Sequence, residues 1–226
     1  MTTERKTAII IGALFLISTT SFLIGDQLIA SVIGNAEYLK NSHPNKGQIA
    51  LGAILQFVNN IALIGIGLMF LPILRKYNSN LAFVYLITRV VEGTLLFVSA
   101  ISILSIIPLS EQYLKAAKAD VAHFETFGIL LKYGWYKAFQ LAMIVLSFGS
   151  FFLCYLLYKT KLVPRVFSIV GFIGYAALLA KILSEILGLS AGLEILYLPG
   201  TLFELLMPLW IMVKGFNISA NTSNDH

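Results

Sequence analysis

The sequence predicts an all-α protein, an integral membrane bundle of six transmembrane helices, and three observations support this. The 226 residues are 58% hydrophobic and only 12% charged, whereas soluble domains carry about 25% charged residues. Six apolar segments are long enough to cross a bilayer, which takes about 20 residues of helix. None of the six alternates strictly between apolar and polar residues, which favours helices over the strands of a membrane barrel.

The six apolar segments follow one another along nearly the whole chain. They cover residues 8–30, 48–74, 81–107, 137–158, 166–187 and 195–213. The first segment follows two basic residues, as in a secretory signal, but it is longer than a typical signal core and no small-residue cleavage site follows it. We therefore expect one six-helix transmembrane domain over residues 1–216. The polar end, residues 217–226, is expected to be a disordered cytoplasmic tail.

Basic residues favour an orientation with both termini in the cytoplasm, because cytoplasmic loops of membrane proteins are rich in Lys and Arg. Dense basic clusters precede the first segment, separate the second from the third and the fourth from the fifth, and follow the sixth. The expected location is the cytoplasmic membrane, with the lipid bilayer as a partner. The net charge of +5 is then expected to contact anionic lipid headgroups rather than nucleic acid.

Residues 110–139, between the third and fourth segments, mix apolar and charged residues at helical spacing. This pattern predicts an amphipathic outer-face helix between helices 3 and 4. It would either cap the bundle or act as a lid over an outward-facing pocket. Tyr133, Trp135 and Tyr136 near its end are typical of an interfacial aromatic belt.

Arg89 and Glu92 lie inside the third apolar segment, three residues apart, so they share a helix face and can pair. A charge at the bilayer centre costs about 2.5–3.5 kcal/mol on insertion scales, which demands a partner. Helical rise places Arg89 about 12 Å and Glu92 about 16 Å from the cytoplasmic end, and Glu204 of the last segment about 15 Å from it. We expect Arg89 to bridge both carboxylates, because a guanidinium group can serve two at once.

This intramembrane polar site, Arg89, Glu92 and Glu204, has two interpretations. It is a structural lock that fixes helix register without a ligand, or it is a binding or proton-handling site. Two carboxylates against one arginine leave a surplus negative charge, which a proton or a cation would neutralise.

A second group of polar residues lies nearer the predicted outer face. It consists of Gln56, Asn59, Asn60, Gln140, Lys181 and Glu185. These residues either line a pocket that opens to the outside or hydrogen-bond between helices. Asp26 and Lys137 fall near the outer interface, where contact with the headgroup region explains them without a function.

Signatures of enzymes and cofactors are missing from the sequence. The three histidines, at 43, 123 and 226, lack metal-ligand spacing. Cys154 is the only cysteine and cannot form a disulfide within the chain. No serine elbow or phosphate-binding loop occurs. We expect no enzyme activity, metal or cofactor. Binding or translocation of a small molecule or ion is the preferred function, an accessory or assembly role is the alternative, and the oligomeric state stays open.

Three stretches of the chain resemble a known family. They are "NLAFVYLITRVVEG" at 80–93, "YLLYKTKLVPRVFSIVGFIGY" at 155–175 and "FELLMPLWIMVKG" at 203–215. They resemble the bacterial multipass membrane proteins of domain-of-unknown-function family 4386, with matching positions that include Arg89, Glu92, Pro164, Arg165, Gly171, Tyr175, Glu204, Trp210 and Gly215. The resemblance implies a multipass membrane protein and no established activity.

Overall fold

A computed structural model shows an all-helical chain, described for residues 2–117, 120–189 and 194–217. The helices are α1 Thr3–Ile33, α2 Tyr38–Ser42, α3 Lys46–Leu74, α4 Ser79–Lys115, α5 Val121–Thr160, α6 Arg165–Ile186, a 3₁₀ helix Glu194–Tyr197, and α7 Leu198–Lys214. Six spans are long and apolar enough to cross a membrane, the last formed by the 3₁₀ helix and α7 together. The predicted all-α class and the six predicted segments are confirmed. Most of the predicted tail, residues 218–226, lies outside the described residues.

The six long helices form a closed ring in sequence order. Each packs against the next one along the chain, and α7 returns to pack against α1. Because short connections join the neighbours, the helices alternate in direction, and the start of α1 and the end of α7 lie at the same end of the ring. The side of the membrane on which that end lies stays a prediction.

Arg5 closes the ring between α1 and α7. Its guanidinium group donates hydrogen bonds to the carbonyl oxygens of Ile211, Met212 and Val213, at 3.1, 2.6 and 2.9 Å. The last carbonyls of a helix have no partner within the helix and carry partial negative charge. Arg5 therefore caps the end of α7 and ties it to the first helix.

Two helix crossings depend on glycine because the backbones nearly touch. A β-carbon on Gly25 of α1 would lie 2.7 Å from the carbonyl oxygen of Gly52 in α3. A β-carbon on Gly174 of α6 would lie 2.5 Å from the backbone nitrogen of Gly200 in α7. Both distances are too short for a side chain, so only glycine allows these crossings. Polar residues lie one helical turn beyond each crossing and face the inside of the ring.

The segment between the third and fourth membrane helices is helical, as predicted, but it does not form a separate outer-face helix. Residues from Val121 onward continue without a break into the membrane span, as the single helix α5. Charged residues of this segment find partners at the end of the bundle. Lys132 donates to the carbonyl oxygen of Ile33 at 2.9 Å and lies 5.0 Å from the Tyr38 ring centre. These contacts hold the segment in line with α5.

The short helix α2 was not predicted from the sequence. It is tied to α4 by Ser110, whose hydroxyl donates to the Leu39 carbonyl at 2.5 Å and accepts from the His43 backbone N–H at 2.8 Å. A small apolar cluster packs α1, α2, α3 and α4 together at this end, and a larger one contains residues of all six long helices.

Candidate functional site

Arg89 is buried in α4 and has partners on its own helix. Its side chain is paired with Glu92, with 3.0 Å between Nη1 and Oε2, and its Nε donates to the Tyr85 hydroxyl at 3.0 Å. Residues three and four positions away share one face of a helix, which explains this arrangement. The guanidinium group also lies 5.2 Å from the ring centre of Tyr85 and 5.9 Å from that of Phe15. The charge is therefore held by one carboxylate and two aromatic rings.

The expected bridge from Arg89 to Glu204 is wrong. Glu204 accepts a hydrogen bond from the Tyr175 hydroxyl at 2.9 Å instead, and Arg89 Nη2 is buried without a hydrogen-bond acceptor among the described residues. The reason is the close crossing of α6 and α7, which places Tyr175 beside Glu204. The Tyr175 ring is fixed by an edge contact with Phe203, with 5.7 Å between ring centres. A neutral hydroxyl group thus serves the second carboxylate.

Glu92 and Glu204 nevertheless face the same space, a cavity of about 520 Å³ inside the ring. All six long helices and the 3₁₀ helix contribute to its wall. The polar lining comprises the carboxylates Asp26, Glu92, Glu194 and Glu204, the amides Gln56, Asn59 and Asn60, and the hydroxyls Ser18, Thr19, Ser99, Tyr136, Tyr175, Tyr197 and Thr201. The carboxylates of the predicted intramembrane site and half of the predicted outer pocket therefore share one cavity.

The cavity reaches the surface at one end of the bundle. Its lining includes Leu23 and Tyr136, which are 53% and 38% exposed, and the exposed Glu194. These residues lie toward the α2 end of the ring, away from the termini. Asp26 lies in the lining as well, so its position near the interface serves the cavity and not only the headgroup region. In the predicted orientation this end is the outer one.

The amides on α3 form a short hydrogen-bonded chain that ends in the cavity. The Ser18 hydroxyl donates to Asn59 Oδ1 at 2.6 Å, and Asn59 Nδ2 donates to Asn60 Oδ1 at 3.1 Å. Asn60 Nδ2 is fully buried and meets no acceptor in the part of the chain that the structure describes. Gln56 is 6% exposed, and its side chain makes no hydrogen bond to a described residue. Since an unsatisfied buried donor costs about 1–3 kcal/mol, these groups call for a polar occupant.

The other three residues of the predicted outer pocket do not line the cavity. Lys181 is buried and pairs with Glu185, and its Nζ lies 3.2 Å from Glu194 Oε1. Gln140 donates to Glu185 at 3.0 Å and accepts from Lys137 Nζ at 2.8 Å. This network lies behind the open end and fixes the 3₁₀ helix to α5 and α6. Its role in the structure is the interhelical hydrogen bonding that was the alternative interpretation.

Sequence reasoning missed Ser18, Asp26 and Trp135 as cavity residues. Ser18 and Asp26 are eight positions apart on α1, and Phe22 between them also lines the cavity. That four-residue spacing marks one helix face and was available in the sequence. Trp135 gave no such signal, because an aromatic side chain near a membrane interface is common for other reasons.

The fold and the cavity define this chain as a multipass helical membrane protein with a polar interior site. Residues 10–215 match the family described as a domain of unknown function (DUF4386), and the chain belongs to that family. The family expected from the three quoted stretches is therefore confirmed. Comparisons with curated proteins and with solved structures found no match.

Proposed function

We propose that this protein binds a small molecule or ion in the cavity inside its helix bundle and moves it across the membrane. The proposal places the protein in the cytoplasmic membrane of a bacterial cell, with both termini in the cytoplasm, and assigns it no enzyme activity. The observation that carries it is that Asn60 Nδ2 and the Gln56 side chain are buried, make no hydrogen bond to a described residue and line a cavity that reaches the surface. Sites for small ligands are concave and combine apolar walls with a few polar groups of this kind.

The closed end of the cavity supports the translocation part of the proposal. On the side of the termini, the ring is filled by Arg89 and by the aromatic chain of Phe15, Phe70 and Tyr85. Their neighbouring ring centres lie 6.4 and 5.8 Å apart. We call these four residues the plug. A ligand can reach Glu92 from the open end, and it crosses the membrane only if the plug rearranges.

The accessory or assembly role remains the second candidate, and the Arg89–Glu92 pair favours it. Both side chains are at most 2% exposed, and Arg89 does not line the cavity. An ion pair so placed fixes the register of α4 whether or not a ligand binds. In the accessory role, the cavity is only an unfilled space between the helices and transports nothing.

Access to an introduced cysteine separates these functions. Cys154 is the only cysteine of the chain, so a Cys154→Ala background is free of thiols. Gln56→Cys would be treated with a membrane-impermeant, positively charged methanethiosulfonate in right-side-out and in inside-out vesicles. Phe57→Cys is the matched control, because Phe57 is the next residue on α3 and is 53% exposed on the outer surface of the ring.

Binding predicts that Gln56→Cys reacts at least tenfold faster than Phe57→Cys from the outer side. Translocation predicts fast reaction from both sides, because the plug opens in a fraction of the molecules. Equal, slow reaction of both variants in both kinds of vesicle would contradict the proposal and leave the accessory role.

A further inference from the structure

We propose that the ligand of the cavity is a small organic ammonium ion, held with its charged nitrogen against Glu204 and Glu92. This inference rests on the proposed function and names the chemical class of ligand. It follows from the charge of the lining, the free hydrogen-bonding capacity of the two carboxylates, and the composition of the walls.

The described lining carries negative charge that the protein does not balance. It contains four carboxylates and neither Lys nor Arg. Glu92 is paired with Arg89, and Glu194 shares Lys181 with Glu185. Glu204 and Asp26 have no ion-pair partner among residues 2–117, 120–189 and 194–217. A deep carboxylate and a carboxylate near the open end are thus left for a cation that enters from outside.

The two deep carboxylates have oxygen atoms to offer. Glu204 uses Oε1 to accept from Tyr175, and Glu92 uses Oε2 to accept from Arg89. The other oxygen of each group accepts no hydrogen bond from any described residue. A protonated amine brings N–H donors and a positive charge together, and charge-assisted hydrogen bonds of this kind are strong in a buried setting.

The unpartnered amides are an observation independent of the acidic residues. Asn60 Nδ2 is buried, lines the cavity and lacks an acceptor, and Gln56 lines it one helical turn away. They require an occupant with polar atoms, which water or a polar ligand supplies and a lipid chain does not. Asn60 lies level with Glu92, because a β-carbon on the adjacent Gly93 would be 3.6 Å from the Asn60 carbonyl oxygen.

The size and walls of the cavity favour an organic cation over a metal ion. The volume of about 520 Å³ lies within the range of sites for small organic ligands. The walls include the aromatic residues Phe22, Trp135, Phe139 and Tyr197, and aromatic faces attract ammonium ions. Among the described residues, no group of three or more His, Cys, Asp or Glu side chains is arranged to hold a metal ion.

The test uses Trp135 as a reporter inside the cavity. The chain has two tryptophans, so Trp210→Phe leaves Trp135 as the only one. The purified variant, in lipid nanodiscs, would be titrated with tyramine while tryptophan fluorescence is followed under selective excitation. Tyrosol and 4-hydroxyphenylacetate are matched probes, because they keep the ring and replace the ammonium group by a neutral and an anionic group. Potassium chloride tests an inorganic cation.

Tyramine is expected to change the Trp135 signal saturably, at a concentration at least tenfold lower than tyrosol, 4-hydroxyphenylacetate or potassium chloride. Glu204→Gln should weaken tyramine binding at least tenfold and leave the weak tyrosol response unchanged. Asp26→Asn, a second variant near the open end, should weaken tyramine binding at least threefold. Glu125→Gln makes the same chemical change on the exposed side of α5 and should change nothing.

The possible failures are distinguishable. If tyrosol, 4-hydroxyphenylacetate or potassium ions bind as well as tyramine, or if a folded Glu204→Gln variant binds tyramine normally, the ammonium inference is wrong and the proposed function stands. If no probe binds while Gln56→Cys reacts rapidly, the inference is likewise wrong and the cavity remains a site for something else. If no probe binds and Gln56→Cys is also inert, the proposed function itself has failed.

Discussion

A single buried side chain, Arg89, limits which substitutions this protein can accept without losing stability. Taking a charge out of water costs several kcal/mol, and a buried ion pair recovers this only when its geometry is good. Arg89 meets this condition through Glu92, through the Tyr85 hydroxyl and through two aromatic rings. Neither charged residue can be lost alone without leaving the other buried and without its ion-pair partner.

Arg89→Leu should therefore lower the free energy of unfolding by about 3–5 kcal/mol, because it leaves the Glu92 carboxylate buried and unpaired. The double variant Arg89→Leu/Glu92→Leu should recover most of that loss. Glu204 need not be replaced as well, because Tyr175 and not Arg89 holds it. Thermal unfolding in detergent, together with the amount of protein in the membrane, measures both effects.

Lys115→Leu is the control, because it breaks the exposed pair with Glu111, and exposed ion pairs contribute little to stability. A double variant as unstable as Arg89→Leu would show that the buried charges are not balanced mainly by each other.

For the buried carboxylates, the sequence predicted their depth in the membrane but not all of their partners. Helical rise alone placed Glu92 and Glu204 at one level, and both line the same cavity. Helical rise gives the depth of a residue along its own helix, but not which residues of other helices lie beside it. The contact of Tyr175 with Glu204 was therefore not predicted. A buried hydroxyl group on a third helix replaced the expected ion pair.

At the scale of the helices, glycine crossings decide where the polar residues meet. The contact of Gly174 with Gly200 brings the backbones of α6 and α7 together and sets Tyr175 beside Glu204. Hydrophobic attraction between helices is weak in lipid, so small residues that permit close packing are what holds such a crossing.

Gly174→Ala should destabilise the protein by about 3 kcal/mol, because the added methyl group would meet the α7 backbone, which can yield only by separating the helices. Gly47→Ala is the matched control in α3, since a β-carbon there has nothing within 4 Å. It should stabilise the helix by up to about 1 kcal/mol. Chemical unfolding of the two variants in mixed micelles would compare them, and equal stability would refute the proposed crossing.

The helices themselves were largely predictable, because a long apolar run has few alternatives in a membrane. The structure differs where a segment is amphipathic. The sequence does not show whether an amphipathic helix forms a separate element or continues into the next membrane span. In this protein the hydrogen bond from Lys132 to α1 keeps the amphipathic segment continuous with α5. The helix α2 is only five residues long, too short for a periodic signal.

At the scale of the whole molecule, closure of the ring creates the cavity. The six helices pack mainly against their neighbours in the ring, and the space left between them is lined by polar side chains and opens toward the α2 end. The sequence predicted six helices and their polar levels. It did not predict that α7 returns to α1, because that contact joins the two ends of the chain.

Arg5→Ala should weaken this closure, because three carbonyl groups at the end of α7 lose their donor. The expected loss is about 2 kcal/mol in the free energy of unfolding, as for hydrogen bonds made by a charged group. Lys6→Ala removes the same charge from the next, exposed residue and should cost much less. Melting curves of the two variants give the comparison, and equal losses would mean that net charge, not capping, is responsible.

The existence of a polar, water-accessible cavity deep inside the bundle is tested most directly at Asn60 and Ile61. These neighbours on α3 are 0% and 53% exposed, and only Asn60 lines the cavity. Each would be changed to cysteine in the Cys154→Ala background and treated with a charged methanethiosulfonate in lipid nanodiscs, where both faces are open to the reagent. We expect the buried position, Asn60→Cys, to react at least tenfold faster than the exposed position, Ile61→Cys. Slower or equal reaction at Asn60→Cys would contradict the cavity and the function proposed for it.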